Sequence, residues 1–92
     1  MDAGFNAILI APEDNVATVT AEILPGETVR FSRRGETVQI VSGGVPIYHK
    51  VALADISAGQ VITKYGEVIG VALRDIPAGS HVHNHNLASG VQ

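Results

Sequence analysis

Along the chain, short runs rich in Val, Ile and Thr are separated at close intervals by Gly and Pro. This is the pattern of an all-β domain of short strands, because branched side chains suit a pleated, half-buried surface and Gly and Pro end or bend it. Strands are predicted over Ala7–Ile10, Val16–Ile23, Thr28–Ser32, Thr37–Val41, Ile47–Leu53, Val61–Ile62, Glu67–Leu73 and His81–Leu87. Turns are expected at Pro25-Gly26, Arg34-Gly35, Ser42-Gly43-Gly44, Ala58-Gly59, Tyr65-Gly66 and Ala78-Gly79. No long helix is predicted.

The pattern repeats. The eleven residues Ala52–Ile62 return twenty positions later as Ala72–Val82, with six identities, among them Asp55/Asp75, Ile56/Ile76 and Gly59/Gly79. A fainter copy, Ala21-Glu22-Ile23-Leu24-Pro25-Gly26-Glu27-Thr28-Val29, keeps the skeleton of an apolar anchor, a Gly turn and a returning apolar residue. Each copy reads as a corner, with Gly supplying the positive φ of the turn. Three corners predict a folded-over, clip-like sheet, since so few irregular copies cannot stack as a solenoid. Recurrence of Asp55 and Asp75 in equivalent places points to a shared structural task, such as capping the Gly turn.

Length and composition set limits. With 92 residues, 46% of them hydrophobic, the chain is expected to form one domain, 1–92. A chain this short has little room for both a core and a deep private active site, so a partner subunit or a fused second domain is expected. A net charge of −3 with six Lys and Arg gives no footprint for nucleic acid. Arg30, Arg33 and Arg34 form either a small cationic patch or a solvated hairpin tip. The lack of cysteine excludes disulfides, a thiolate nucleophile and sulfur-ligated metal from this chain. With no apolar run of membrane length and no signal-like start, the expected setting is the cytoplasm, away from membranes.

Candidate chemistry concentrates on basic and aromatic side chains. His81, His83 and His85 alternate with Val82 and Asn84, so on a strand all three imidazoles share one face. Such a row can face a ligand, a metal or a partner, or be a solvated edge strand; imidazole is the usual proton carrier near neutral pH and a common metal ligand. His49-Lys50 and Lys64-Tyr65 lie beside turns, where ligand-facing residues collect, and their cations suit a carboxylate or sulfonate. Asp14-Asn15 reads as a turn before a strand. No phosphate loop, dinucleotide fingerprint, His-Glu-x-x-His or Gly-x-Ser-x-Gly motif is present.

In order, Pro12-x-Asp14-Asn15-Val16-Ala17, His49-Lys50-Val51-Ala52-Leu53, Asp55-Ile56-x-x-Gly59, Lys64-Tyr65-Gly66-x-x-Ile69-Gly70, Ile76-x-x-Gly79 and His81-Val82-His83-x-His85-Asn86 resemble the SAF domain of altronate and galactarate dehydratases. The resemblance spans Ala7 to Leu87 and extends to the small subunit of sulfolactate sulfo-lyases. It implies a SAF-type β-clip that works as a small subunit or N-terminal domain beside a large catalytic partner. The implied reaction is a lyase elimination, of water from an altronate- or galactarate-type hydroxy-carboxylate or of sulfite from sulfolactate. On that resemblance the expected catalytic residues are His49, His83 and His85, and the expected substrate-binding residues Lys50, Lys64, Tyr65, His81 and Asn86. A divalent metal, iron, is expected mainly in the large partner, with His83 and His85 as the candidates to reach its edge. Homo-oligomerisation stays open. The rival readings are a non-catalytic sugar-acid-binding or assembly module of the same fold, and a free-standing metal-binding protein using the His row.

Overall fold

A computed structural model of the chain describes residues 4–89. Among them lie nine short strands and no helix: β1 (Ala7–Ile8), β2 (Val16–Val19), β3 (Thr28–Arg33), β4 (Glu36–Val41), β5 (Lys50–Ala52), β6 (Val61–Lys64), β7 (Glu67–Ala72), β8 (His81–Val82) and β9 (Leu87–Ser89). The architecture is the all-β one predicted from the sequence. All pairings are antiparallel, in a central sheet ordered β1-β2-β5-β8, a β3-β4 hairpin and a three-stranded sheet β6-β7-β9. No helix among the described residues is long and apolar enough to cross a membrane.

The central sheet is buried on both faces, and the period of two decides which residue goes where. Val16 opposite Ala52, together with Val82, packs with Ile56, Ile62, Ala72, Ile76 and Leu87. Their neighbours Ala17, opposite Val51, and Val19 and Leu53 pack on the other side with Ile23, Val29, Phe31 and Val45. Two small cores therefore share one sheet, which is why strands of two to four residues suffice.

Among the described residues the corners number four. Leu24-Pro25-Gly26-Glu27, Pro46-Ile47-Tyr48-His49, Ser57-Ala58-Gly59-Gln60 and Pro77-Ala78-Gly79-Ser80 each close with the fourth N–H donating to the first carbonyl, at 2.9–3.1 Å. The third residue has φ of +90°, +69°, +84° and +87° in turn, the left-handed geometry of a type II turn. Each corner then exchanges two backbone hydrogen bonds with one residue elsewhere: Ser42, Val19, Ala72 and Ala52 respectively. The apolar residues before the turns pair as Ile23 with Val45 and Ile56 with Ile76. The second corner escapes the repeat because Tyr48 stands where the others have Gly.

Asp55 and Asp75 have the shared structural task expected of them, but crosswise. Asp55 accepts from Ala78 N–H and Asp75 from Ala58 N–H, both at 2.9 Å, so each repeat caps the other's turn around the Ile56–Ile76 bridge.

Several predicted strands are shorter than expected: Ala7–Ile10 ends at Ile8 and Val16–Ile23 at Val19, and two more are cut by turns. Ile47–Leu53 loses its first residues to the second corner. His81–Leu87 is not one strand: it stops at Val82, turns over 83–86 and resumes at Leu87. The turn is made by the buried Asn86, whose side-chain oxygen accepts from His83 N–H at 2.9 Å while its amide donates to His81 O at 2.9 Å.

A candidate imidazole and ammonium site

His49 leaves the second corner directly into β5, and β5 pairs with β8 so that Lys50 lies opposite Val82 and Val51 opposite His81. One further step of the same register sets His49 against His83. The side chains follow the backbone: the His49 and His83 rings are 4.5 Å apart between centroids, His49 and His81 4.9 Å, and His81 and His83 5.6 Å and nearly parallel. His85 is on the turn rather than on a strand, so a common strand face does not account for it. The turn brings it back over His81, at 5.4 Å.

The Lys64-Tyr65-Gly66 hairpin is fixed from a distance. The buried Asp14 carboxylate accepts from Tyr65 N–H and Gly66 N–H, each at 2.8 Å, and from Ala11 N–H at 3.2 Å. Asn15 accepts from Thr63 N–H at 2.8 Å and donates to Val61 O at 3.0 Å. Asp14 and Asn15 thus staple β6–β7 to the turn before β2, a duty that reading them as a local turn misses. Both central hairpin residues, Tyr65 and Gly66, have positive φ, +59° and +76°, as a two-residue type I′ loop requires. The Lys64 ammonium lies 3.7 Å from the Tyr65 ring centroid, a cation–π contact.

The structure therefore brings together the rings of His49, His81, His83 and His85; Lys50, opposite Val82 in the register, is near enough for its charge to act on His81 and His83, and Lys64 near enough to act on Lys50. Tyr65 stands beneath Lys64, and Asn86 serves the turn with its amide. Arg30, Arg33 and Arg34 do not converge as a patch: Arg34 is the exposed left-handed residue of the β3–β4 hairpin, and Arg33 donates to Asp14 O at 3.3 Å.

The electrostatics are one-sided. Burial, then the nearby Lys64 charge, lowers the Lys50 pKa from its ordinary value. His81 is lowered by burial first and then by His49, His85, His83 and Lys50. Loss of hydration, then His49, Lys50 and His85, lowers His83. Every charged neighbour acting on these groups is itself basic. His49 Nδ1 and His81 Nε2 are 2.8 Å apart, so one of the two must donate a single proton and the other accept it.

The same geometry suits a metal. One ring nitrogen each from His49, His81 and His83 lies within 4.8 Å of the others. Three nitrogens ~2.0–2.1 Å from a common ion are ~3.4 Å apart in tetrahedral geometry, a spacing inside the 4.8 Å that encloses these atoms. The lowered pKa values of His81 and His83 favour the neutral, ligating form. Among the described residues the convergent set is His49, His81 and His83; His85 lies outside it.

Comparison with known proteins gives this constellation a context. The chain is 46% identical over 74 residues to the altronate dehydratase of Escherichia coli (strain K12), covering 79% of this chain and 14% of that protein. It is 40% identical over 75 residues to the galactarate dehydratase (L-threo-forming) of the same organism, covering 82% of this chain and 14% of the dehydratase. Over 42 residues it is 50% identical to the (2R)-sulfolactate sulfo-lyase subunit alpha of Paracoccus pantotrophus, 46% of this chain and 63% of that subunit. The chain thus spans about a seventh of the dehydratases it matches. The model of the altronate/galactarate dehydratase SAF domain matches from residue 5 to residue 90, taking in all four corners and every histidine of the cluster, and the chain belongs to that family.

Proposed function

We propose that this chain is the SAF domain or small subunit of a lyase that acts on a hydroxylated carboxylate, and that it completes the active site of a large catalytic subunit or domain. The observation that carries this reading is the convergence of four imidazoles, with the Lys50 charge acting on two of them and the Lys64 charge on Lys50. Such a cluster of bases suits an anion.

Elimination needs a proton removed next to a carboxylate and a group expelled from the adjacent carbon. Lys50 and Lys64 hold the carboxylate; Tyr65 keeps the Lys64 ammonium in place from below. His49 and His81 share one proton across 2.8 Å, so this pair can accept a proton from carbon or pass one to the leaving oxygen. His83, with its lowered pKa, is neutral and free to act as base or ligand. A divalent ion at His49, His81 and His83 would supply a Lewis acid toward the carboxylate. More of its donor set then lies on this chain than an ion held mainly by the partner would need. Altronate, galactarate and sulfolactate are the substrates to test, with water or sulfite as the leaving group.

The decisive experiment co-expresses the chain with a large lyase subunit of the same family and follows dehydration of altronate and galactarate and cleavage of sulfolactate. Each protein alone is expected to be inactive and the complex active, with His49→Ala or Lys50→Ala lowering the rate of the complex at least tenfold. Full activity of the large subunit alone, unchanged on adding this chain, overturns the proposal in favour of an assembly module.

A further inference from the structure

The repeat separates what the scaffold needs from what has been added to it. Between the two strong copies the anchors, the Asp caps and the Gly turns are shared, whereas Ala54 is replaced by Arg74 and Val61 by His81. The first copy shows that the corner folds without either basic side chain. Both replacements line one cavity of about 310 Å³ beside the imidazole cluster, together with Asp75, Ser80, His85 and Gly44. A second cavity of about 330 Å³ adjoins the same Ile56–Ile76 bridge, and no basic residue lines it. Corner packing therefore makes hollows of this size without a basic lining; the second is walled instead by the capping carboxylates Asp55 and Asp75.

Arg74 is exposed and, among the described residues, has no hydrogen-bond or ion-pair partner. Asp75, the one carboxylate on the cavity wall, holds Ala58 N–H with one oxygen, the duty Asp55 performs in the equivalent corner. Its presence is thus explained by the scaffold. Arg74 has no such explanation, and a guanidinium beside two imidazoles is a fork for an oxyanion. His81 belongs to both regions: its ring packs against His49 and His83 on one side and lines the cavity with His85 and Arg74 on the other.

We infer that the cavity of Arg74, Ser80, His81 and His85 is a second oxyanion subsite, and that the site takes an acid with an anionic group at each end. This rests on the acid-binding reading above and narrows it. One carboxylate lies at Lys50 and Lys64, the carbon bearing the reacting groups lies against His49, His81 and His83, and the second oxyanion, a carboxylate or a sulfonate, lies on Arg74. A monoacid fills only the first half.

The test follows backbone and imidazole resonances of the full chain, alone and in complex with its large partner, during titration with galactarate and with galactonate, which differ only in whether the far end is a carboxylate. Galactarate is expected to bind at least tenfold more tightly. Arg74→Ala is expected to remove that preference while leaving galactonate affinity within twofold, Arg74→Lys to restore part of it, and Lys50→Ala to weaken both acids. Sulfolactate, whose far end is a sulfonate, is expected to lose affinity in Arg74→Ala as galactarate does. Equal affinities for the two sugar acids, or a preference that survives Arg74→Ala, overturn the second subsite and leave the acid-binding reading standing. If neither sugar acid moves the resonances of His49, His81 or His83 in chain or complex, the acid-binding reading itself falls.

Discussion

Tyr48 carries a cost that its three counterparts avoid. A non-glycine residue at φ +69° loses ~1–2 kcal/mol to the clash of its Cβ with the neighbouring carbonyl, against ~0.5–1 kcal/mol of extra chain entropy that glycine gives up on folding. Tyr48→Gly is therefore expected to be neutral or stabilising by up to about 1 kcal/mol, read as a rise in the thermal midpoint. Gly79→Ala is the contrasting case: a Cβ there would overlap the Val41 carbonyl oxygen as well as adopt a strained φ of +87°, and the midpoint should fall sharply. The histidines give a pH dependence at the same scale. His81 and His83 have folded-state pKa values below the ordinary imidazole value of 6.5, so below that pH the unfolded chain binds more protons than the folded one. Their contribution is intact above pH 6.5 and is lost as pH falls toward the lowered values. The midpoint of the metal-free chain is expected to drop from pH 7.5 to pH 5, and His81→Gln to flatten that drop; an unchanged profile in this variant would remove His81 as the source.

Among the elements, the β6–β7 hairpin depends most on one side chain outside it. Removing the Asp14 carboxylate would leave the N–H groups of Ala11, Tyr65 and Gly66 without their acceptor. Asp14→Ala should cost about 3 kcal/mol, given ~1.5–3 kcal/mol for a hydrogen bond to a charged group and incomplete additivity among three. Asp14→Asn, which keeps one acceptor oxygen, should cost less, and chemical denaturation ranks the two. This duty was hidden in the sequence, because a carboxylate that caps its own turn and one that caps a hairpin 51 residues away carry the same local signature. The strands themselves were largely legible, since Val, Ile and Thr runs between Gly turns leave little alternative. Val45–His49 carries no corner signature because Tyr48 stands in place of the glycine that marks the others. The single strand over His81–Leu87 failed for a related reason. Alternation predicts a strand, but the Asn86 amide captures His83 N–H and the His81 carbonyl and bends the chain there.

At the scale of the whole molecule, the histidines of the site come from two segments far apart in sequence, His49 before β5 and His81–His85 after the last corner. Composition could single out these residues, whereas their meeting depends on the β5–β8 register, which no local pattern encodes. The same separation makes metal binding report on global stability. A metal bound only by the folded chain at 100 times its Kd adds ~2.7 kcal/mol. Zn²⁺ or Mn²⁺ is expected to raise the midpoint of the chain, His49→Ala and His83→Ala to abolish the rise, and His85→Ala to retain it. No rise in the unmodified chain would place the ion entirely on the partner. Arg74 has no distinguishing mark in the sequence, where it sits in the repeat like any surface residue, and only the cavity beside it gives the replacement of Ala54 a meaning.

The pairing of β5 with β8 has a consequence in time. Lys50 and Val51 meet Val82 and His81 across about thirty residues of intervening chain, and closing so long a loop comes late when contacts form in order of their sequence separation. During synthesis the first histidine has emerged well before its partners, and the cluster is not assembled until the final corner has docked. Completion is thus written into the site: a half-made copy offers a single imidazole, and only a finished one presents all four.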